Sequence, residues 1–184
     1  EAGQSQGHSI AIGSEIYNQV LQHYYSEALL LDHMKMEEWG ATLAEDLRYS
    51  VPVKQTKPVR DSGSSVVRSV MHMDENFRSI MGRIMRLAGN SAWAEDPPSR
   101  LRRFVSNVQV FETDVANEFS VINYLLITRN RFDDDFFDLI PCERRDILRK
   151  QGSEFKLVQR EALIDQALLG TPNPVSYTHL RAHE

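Results

Sequence analysis

Apolar residues recur at helical spacing in the first third of the chain. Ser14 and Glu15 form a helix start, and the apolar residues that follow lie three or four positions apart. This spacing predicts an amphipathic helix of about five turns. A shorter helix is predicted around Met36 and Trp39 and ends between residues 40 and 46. The apolar positions of the first helix are Ile16, Val20, Tyr24, Ala28 and Leu31.

After the predicted helices, apolar and polar residues alternate along the chain. Apolar residues from Leu47 to Val53 alternate with polar residues and with Pro52, a pattern typical of a half-buried strand. Because proline cannot donate a ladder hydrogen bond, Pro52 places this strand near a sheet edge. Residues 55–73 have no period and contain Pro58 and Gly63, which predicts a long loop.

Another amphipathic helix is predicted after this loop. Asp74 is a suitable N-cap and Gly89 suits the C-terminal end. Three arginines on the other side, Arg78, Arg83 and Arg86, form either a solvated face or a contact with an acidic neighbouring subunit. The apolar stripe consists of Phe77, Ile80, Met81, Ile84, Met85 and Ala88.

The second half of the chain changes to strand patterns. Phe104, Val108 and Val110 belong to one strand, and residues 119–129 form another whose two faces are both apolar, as expected at the centre of a sheet. Residues 137–150 and 155–168 form two more strands, joined by a tight turn at residues 151–153. Helices followed by an antiparallel sheet indicate an α+β fold with the helices on one face.

Residues 93–107, with the sequence WAEDPPSRLRRFVSN, join these two halves. Pro97 and Pro98 fix two successive φ angles and bias Asp96 away from helix, so the chain changes direction there. Trp93 requires burial for its ring and a partner for its indole N–H. The acidic residues before the prolines and the arginines after them form either the ion pairs of a structural turn or a binding surface for a partner protein.

Composition limits the class of protein. The 184 residues are 41% hydrophobic and 26% charged, which is ordinary for one soluble globular domain, predicted over residues 14–170. Residues 1–13 are predicted to be a flexible leader and residues 171–184 a non-native or disordered tail. A net charge of −5 gives no reason to bind nucleic acid or an anionic membrane. The sequence shows neither a run of about 20 apolar residues, the length of a membrane-spanning helix, nor the pattern of a signal peptide. We therefore expect a cytoplasmic protein.

Several segments, in order and at similar spacing, resemble those of a known family. They are LLLDHMKMEEW, the WAEDPPSR run with LRRFVSNVQV, the LLITRNR strand and the CERRDILRKQGSEFKLVQREALIDQALL hairpin. Over about residues 14–170 the chain is similar to the small, β subunit of aromatic-ring-hydroxylating dioxygenases. The resemblance implies a cone-shaped fold of the nuclear-transport-factor-2-like or cystatin-like kind, with N-terminal helices packed on a strongly curved antiparallel or mixed sheet.

The same resemblance implies a set of partners. It implies an α3β3 hexamer with contacts between β subunits, acting in NADH-dependent cis-dihydroxylation of aromatic compounds. The large subunit would carry a Rieske iron–sulfur cluster and a mononuclear iron, and a reductase, with or without a ferredoxin, would supply electrons.

The cysteines and histidines of this chain do not match the ligand sets of those two metal centres. A Rieske centre requires two cysteines and two histidines, and Cys142 is the only cysteine. A mononuclear iron requires two histidines and a carboxylate on one face, whereas the histidines are scattered along the chain. We therefore expect no cofactor, metal ligand or catalytic residue here.

The resemblance implies that this chain mainly forms contacts with other subunits. Because guanidinium groups suit interfacial carboxylates and arginine is enriched at interfaces, we expect the arginine-rich segments to form these contacts. The predicted interface residues are Trp93, Asp96, Arg100, Arg102, Arg103, Arg129 and Arg131.

The same fold also resembles that of single-chain isomerases and dehydratases with a catalytic pocket inside the cone. In this alternative Asp32, near Tyr24, Tyr25 and His33 in the sequence, is a buried general base. The structural alternative is that Asp32 caps the second helix or pairs with an arginine.

Overall fold

Helices lie on one face of a six-stranded sheet in the computed structural model, which describes residues 7–54, 66–88, 99–130, 135 and 137–165. The strand order is β2-β1-β6-β5-β4-β3. Neighbouring strands are antiparallel except β1 and β6, which are parallel. The α+β prediction with a mixed sheet is confirmed. The elements are α1 (Glu15–Asp32), α2 (Met36–Gly40), β1 (Leu43–Lys54), β2 (Val66–Asn76), α3 (Phe77–Ala88), β3 (Arg100–Glu112), β4 (Glu118–Asn130), β5 (Asp138–Gln151) and β6 (Glu154–Ile164).

The first predicted helix is confirmed as α1. The Ser14 hydroxyl accepts a hydrogen bond from the backbone N–H of Tyr17 at 3.3 Å, which satisfies one of the free donors at the helix start. The buried side of α1 packs against the inner face of the sheet, mainly on β3. There the Tyr17 hydroxyl donates to the carbonyl of Val108 at 3.2 Å. The buried residues of α1 are Tyr17, Val20, Tyr24, Glu27, Ala28 and Leu31.

Helices α2 and α3 pack closely on each other. A Cβ atom at Gly40 would lie 3.0 Å from both the Ile84 Cδ1 and the Met81 Sδ atoms, so a larger residue here would have to displace the ends of these two side chains. The predicted N-cap of α3 is wrong, because Asp74 lies within β2. Asn76 takes that role, and its Oδ1 accepts from the backbone N–H of Ser79 at 3.0 Å.

The loop predicted over residues 55–73 is partly wrong, because residues 66–73 belong to β2. This strand pairs only with β1, and the pairing slips twice, on either side of Pro52. A slip of one residue exchanges the two faces of a strand, so β2 shows no regular alternation. Strand β1 also begins at Leu43, before the predicted start at Leu47.

Pro52 does not lie on an edge strand. Strand β1 pairs with β2 on one side and with β6 on the other, so it is not itself an edge strand but lies second from the edge, near it as the sequence predicts. Proline is tolerated there because the β1–β2 register shifts at Pro52, and a bulge does not require a ladder hydrogen bond from that residue.

A bulge in β3 reverses which side chains face the core. Asn107 has a φ of 52° and the pairing with β4 shifts between Ser106 and Gln109. Before the bulge Arg103 faces inward, and after it Val108 and Val110 do so. Phe104, which the sequence pattern groups with Val108 and Val110, therefore points outward and is 55% exposed.

Strand β4 lies second from the edge of the sheet, beside β3, so its predicted central position is wrong. Its inner face is buried, as in Val121, Leu125 and Ile127, but its outer face is not. Tyr124 is 47% exposed and Leu126 is 38% exposed. Among the described residues, other side chains thus pack over the inner apolar face of β4 but not over its outer apolar face.

The strands that follow match their predictions. Strands β5 and β6 form a hairpin whose turn contains Gly152 at a φ of 63°, a backbone conformation that favours glycine. The last described strand ends at Ile164, and the rest of the stretch predicted to reach residue 168 lies outside the described residues, apart from Asp165. The predicted leader is described only from residue 7 onward, and the predicted tail lies wholly outside.

Cys142 is expected to be unreactive in the folded protein. Its side chain faces the core on β5 and is 3% exposed, and burial raises the pKa of the thiol to about 12. Because the thiolate is the reactive form, a colorimetric thiol reagent at pH 8 should label Cys142 only after denaturant is added. Rapid labelling of the native protein would contradict this packing.

Candidate functional site

Four charged side chains meet between α1 and the inner face of the sheet. Glu27 comes from α1, Arg144 and Asp146 come from β5, and Arg160 comes from β6. Each residue is at most 3% exposed. Alternation along the strands accounts for this placement, because Arg144 and Asp146 share the inward parity of the apolar residues of β5. We call these four residues the core charge network.

Arg160 is the centre of the core charge network. Its Nε and Nη2 atoms donate to the two carboxylate oxygens of Asp146, at 2.9 and 2.7 Å. Its Nη1 and Nη2 atoms donate to the two oxygens of Glu27, at 2.7 and 3.1 Å. One guanidinium thus bridges two carboxylates in the bidentate geometry that gives the strongest charge-assisted hydrogen bonds.

Arg144 completes the network on its other side. Its Nη1 atom donates to Glu27 at 3.0 Å, and its Nε atom donates to the Oδ1 atom of Asn123 at 2.7 Å. The guanidinium also lies over the ring of Tyr24, 5.1 Å from its centroid, in cation–π geometry. Two carboxylates and two guanidinium groups give the network a formal charge of zero.

Two aromatic side chains donate to the carboxylates. The Tyr24 hydroxyl donates to the Oδ2 atom of Asp146 at 2.9 Å, and the Trp39 indole N–H donates to the Oε1 atom of Glu27 at 3.3 Å. Burial, together with the negative charge of Asp146, raises the pKa of Tyr24 well above its ordinary value. Tyr24 therefore stays a neutral hydrogen-bond donor.

The ionisation of Arg160 results from two opposed effects. Burial alone lowers the pKa of its guanidinium, but the carboxylates of Asp146 and Glu27 outweigh that effect and raise it well above its ordinary value. Arg160 thus remains a cation in the folded protein.

Asp32 forms a second buried pair, at the end of α1. Its Oδ1 atom accepts from the Nη1 atom of Arg103 at 2.6 Å, and its Oδ2 atom accepts from the backbone N–H of Arg103 at 3.1 Å. The two side chains are 8% and 2% exposed. The prediction that Asp32 pairs with an arginine is confirmed. Because both carboxylate oxygens are occupied, the geometry does not favour the general-base alternative.

His23 lies beside the network without joining it. Its ring contacts the rings of Tyr24 and Phe155 edge to face, with centroids 5.6 and 6.2 Å apart. Its Nε2 atom is buried and has no hydrogen-bond partner in the described part of the chain. Burial lowers the pKa of His23, so the imidazole is neutral at pH 7.

The predicted interface residues lie in different surroundings. Arg100 and Arg102 are exposed on β3, whereas Arg103 and Arg129 are buried on β3 and β4. The Nε atom of Arg129 donates to the Ser99 hydroxyl at 3.0 Å. The structure thus does not bring these four arginines to one surface. The other three predicted residues, Trp93, Asp96 and Arg131, lie outside the described residues.

Sequence analysis missed the core charge network, although the positions of its charged residues along α1 and β5 are a recognisable pattern. Glu27 lies on the apolar side of α1, between Tyr24 and Leu31, and Asp146 lies in phase with Cys142 and Leu148 on β5. Charged residues at inward positions of an element are seldom buried unless they are paired. That pattern would have identified the network's members without showing which of them pair.

The described residues contain neither a candidate metal site nor a buried carboxylate without an arginine partner. None of them forms a group of three or more histidine, cysteine, aspartate or glutamate side chains that could hold a metal ion. Among the described helices, none has the length and apolar character needed to span a membrane. The buried carboxylates of Glu27, Asp32 and Asp146 are all bound to arginines.

Replacing Arg160 by methionine should destabilise the protein by about 3–5 kcal/mol, because it leaves two buried carboxylates without their main partner. Urea unfolding monitored by circular dichroism measures this change. The matched control is Arg145→Met, which removes a 48% exposed arginine from the outer face of β5 and should change stability by less than about 0.5 kcal/mol. Equal effects of the two substitutions would contradict the network's role.

His23 should make the protein less stable as the pH falls below the ordinary histidine value of 6.5. The folded-state pKa is lowered, so the unfolded chain takes up the proton first. The contribution is therefore present above pH 6.5 and decreases as the pH falls towards the folded-state pKa. Urea unfolding at pH 7 and pH 5 should show a smaller loss for His23→Phe than for the wild type. The same loss in both proteins would be evidence against a buried, neutral His23.

Comparison with known proteins gives consistent matches over most of the chain. Residues 26–171 match the family described as the ring hydroxylating beta subunit. The chain is 36% identical over 162 residues to the benzene 1,2-dioxygenase subunit beta of Pseudomonas putida, a match that covers 86% of each protein. It is 34% identical over 166 residues to the biphenyl 2,3-dioxygenase subunit beta of Rhodococcus jostii, with 88% of each protein covered.

A solved structure shows the same fold. A chain of naphthalene 1,2-dioxygenase with indole bound in the active site superposes with a TM-score of 0.74 at 21% identity, over 87% of this chain and 84% of that one. The fold that the sequence resemblance implied is therefore confirmed. The family match and the identity to curated relatives together show that the chain belongs to the β subunits of ring-hydroxylating dioxygenases, and so to an oxidoreductase complex.

Proposed function

We propose that this chain is a non-catalytic β subunit that assembles with a large subunit into an α3β3 hexamer. The core charge network carries this proposal. It lies buried between α1 and the inner face of the sheet, where a single-chain enzyme of this fold would need accessible catalytic groups. Every buried carboxylate that the structure describes is bound by an arginine, in the network or, for Asp32, in the separate pair with Arg103, so none is available as a base.

In this proposal the large subunit carries out the oxidation of the substrate. A Rieske cluster requires two cysteines and two histidines, and this chain has one cysteine. The cluster and the mononuclear iron are therefore assigned to the large subunit, with electrons from NADH supplied through a reductase, with or without a ferredoxin. The relatives named as subunits of benzene and biphenyl dioxygenases support an aromatic substrate and a dioxygenase reaction, and the sequence resemblance implies that this reaction is cis-dihydroxylation. The cytoplasmic location stays a prediction.

Contacts with other subunits remain proposed for the seven residues named from the sequence. Arg100 and Arg102 can contact a partner directly because their side chains are exposed. Arg103 and Arg129 would act indirectly, since their pairing with Asp32 and Ser99 holds strand β3 in position. Trp93, Asp96 and Arg131 are included on sequence grounds alone.

Co-expression with the cognate large subunit tests this function. Native mass spectrometry should give the mass of three large and three small subunits, and the complex should oxidise an aromatic substrate with NADH and its electron donors. The purified small subunit alone should bind no iron and turn over no substrate.

Two controls separate the alternatives. Isomerase or dehydratase activity of the isolated chain on a small enolisable substrate, abolished by Asp32→Asn, would support the single-chain enzyme and contradict the proposal. A large subunit that reaches full activity and its normal assembly without this chain would also contradict it.

A further inference from the structure

We propose that residues 7–10, here called the leader strand, close the open edge of strand β3 and prevent it from pairing with strands of other molecules. Strand β3 is the last strand in the order of the sheet, so one side of its backbone has no neighbouring strand of the sheet. An unpaired edge is a template on which another chain can add a strand and begin to aggregate. The inference is independent of which subunits the chain binds.

The sequence of β3 makes an open edge hazardous. Residues 105–111 read VSNVQVF, a run that has no charge, no proline and no glycine and in which valine and phenylalanine predominate. Such uncharged runs with high strand propensity are typical of segments that assemble into intermolecular sheets. Charged residues lie only on either side of the run, at Arg103 and Glu112. Protection of this edge must therefore come from other parts of the chain.

The leader strand pairs with the second half of this run. It forms an antiparallel bridge with β3. The backbone N–H of Ile10 donates to the carbonyl of Val110 at 2.8 Å, and the backbone N–H of Glu112 donates to the carbonyl of His8 at 2.9 Å. Bonds running in both directions between the two segments are those of an antiparallel ladder. The leader strand thus extends the sheet by one short strand.

Two side-chain positions hold the leader strand in this register. Ile10 lies opposite Val110 and packs, partly buried, against the hydrophobic core. At Gly7 a Cβ atom would overlap the backbone carbonyl oxygen of Glu112, so this close approach requires glycine. An apolar residue that faces the core and a glycine that faces the edge are what a fitted strand of the sheet needs here.

A tight turn connects the leader strand to α1. The backbone N–H of Ser14 donates to the carbonyl of Ala11 at 3.1 Å, and Gly13, at the third position of the turn, has a φ of 83°, which favours glycine. The Asn18 side chain donates to the carbonyl of Gly13 at 3.1 Å. Because α1 itself packs on β3, this turn brings the leader strand to the edge of the same strand.

Other features block the β3 edge before the leader strand begins. The bulge at Asn107 interrupts the regular strand, which hinders pairing with a straight partner. The carbonyl of Val108 accepts from the Tyr17 hydroxyl at 3.2 Å, and the backbone N–H of Arg103 donates to Asp32 at 3.1 Å. These two contacts are fixed by the packed helix α1, whereas the leader strand can be opened by a local change.

Proline substitutions at two isoleucines of the full-length chain test the inference. Ile10→Pro removes the N–H that donates to Val110. Ile12→Pro is the matched control, because Ile12 is 83% exposed and occupies the second position of the turn, where proline is favoured. Amide hydrogen exchange of Glu112, measured by mass spectrometry, should be about tenfold faster in Ile10→Pro, the factor for one lost hydrogen bond. It should be unchanged in Ile12→Pro.

Aggregation of the same proteins separates protection from stability. Light scattering and thioflavin T fluorescence should show that folded Ile10→Pro aggregates about tenfold faster than the wild type, in proportion to the larger fraction of open edges. Ile84→Val is the stability control, because it removes a buried methyl group from α3, which packs on β1 and β2. Each protein is incubated equally far below its own Tm. There Ile84→Val and Ile12→Pro should aggregate at the wild-type rate.

Gly7→Ala opens the edge by a second route, because its methyl group overlaps the Glu112 carbonyl and leaves the Ile10 N–H in place. It should reproduce both changes. Fast exchange of Glu112 together with aggregation at the wild-type rate would overturn the inference, as would unchanged exchange in both Ile10→Pro and Gly7→Ala. Equal aggregation of Ile84→Val and Ile10→Pro would assign the effect to lost stability and also overturn it.

Discussion

The position of α1 on the sheet depends on the buried contacts of Arg160. This guanidinium joins Glu27 of α1 to Asp146 of β5 through paired hydrogen bonds. Removing charges from water costs several kcal/mol per ion, and the ion pair offsets this cost only when its geometry is good. The network therefore adds little net stability, but any other position of α1 would leave buried charges unpaired. It specifies one arrangement of helix and sheet.

The same pairing accounts for the absence of accessible chemistry in the described interior. A carboxylate acts as a general base only when substrate can reach it and no strong donor occupies it. Glu27, Asp32 and Asp146 each accept hydrogen bonds from arginine, and their surroundings exclude solvent. In the described part of the chain these carboxylates join helix and sheet, which is consistent with membership of a family of β subunits of ring-hydroxylating dioxygenases.

Periodicity in the sequence predicted the elements better than it predicted their environment. Helix α1, helix α3, the long strands and the β5–β6 hairpin follow from spacing and turn chemistry, because these are local properties of the chain. Strand β2 was missed because two register slips remove its alternation. The face occupied by Phe104 could not be predicted, because one inserted residue at Asn107 exchanges the faces of β3.

The sequence by itself determined the fold class, the family and the lack of ligands for a Rieske centre, since each depends on residue types and their order along the chain. Only the tertiary structure decided which charges meet and which apolar face stays exposed. Glu27 and Arg160 are 133 residues apart, and no local pattern encodes such a distant pairing. Likewise, the two apolar faces of β4 are alike in sequence, and the packing of α1 on one side of the sheet makes that face the core and leaves the other as a surface.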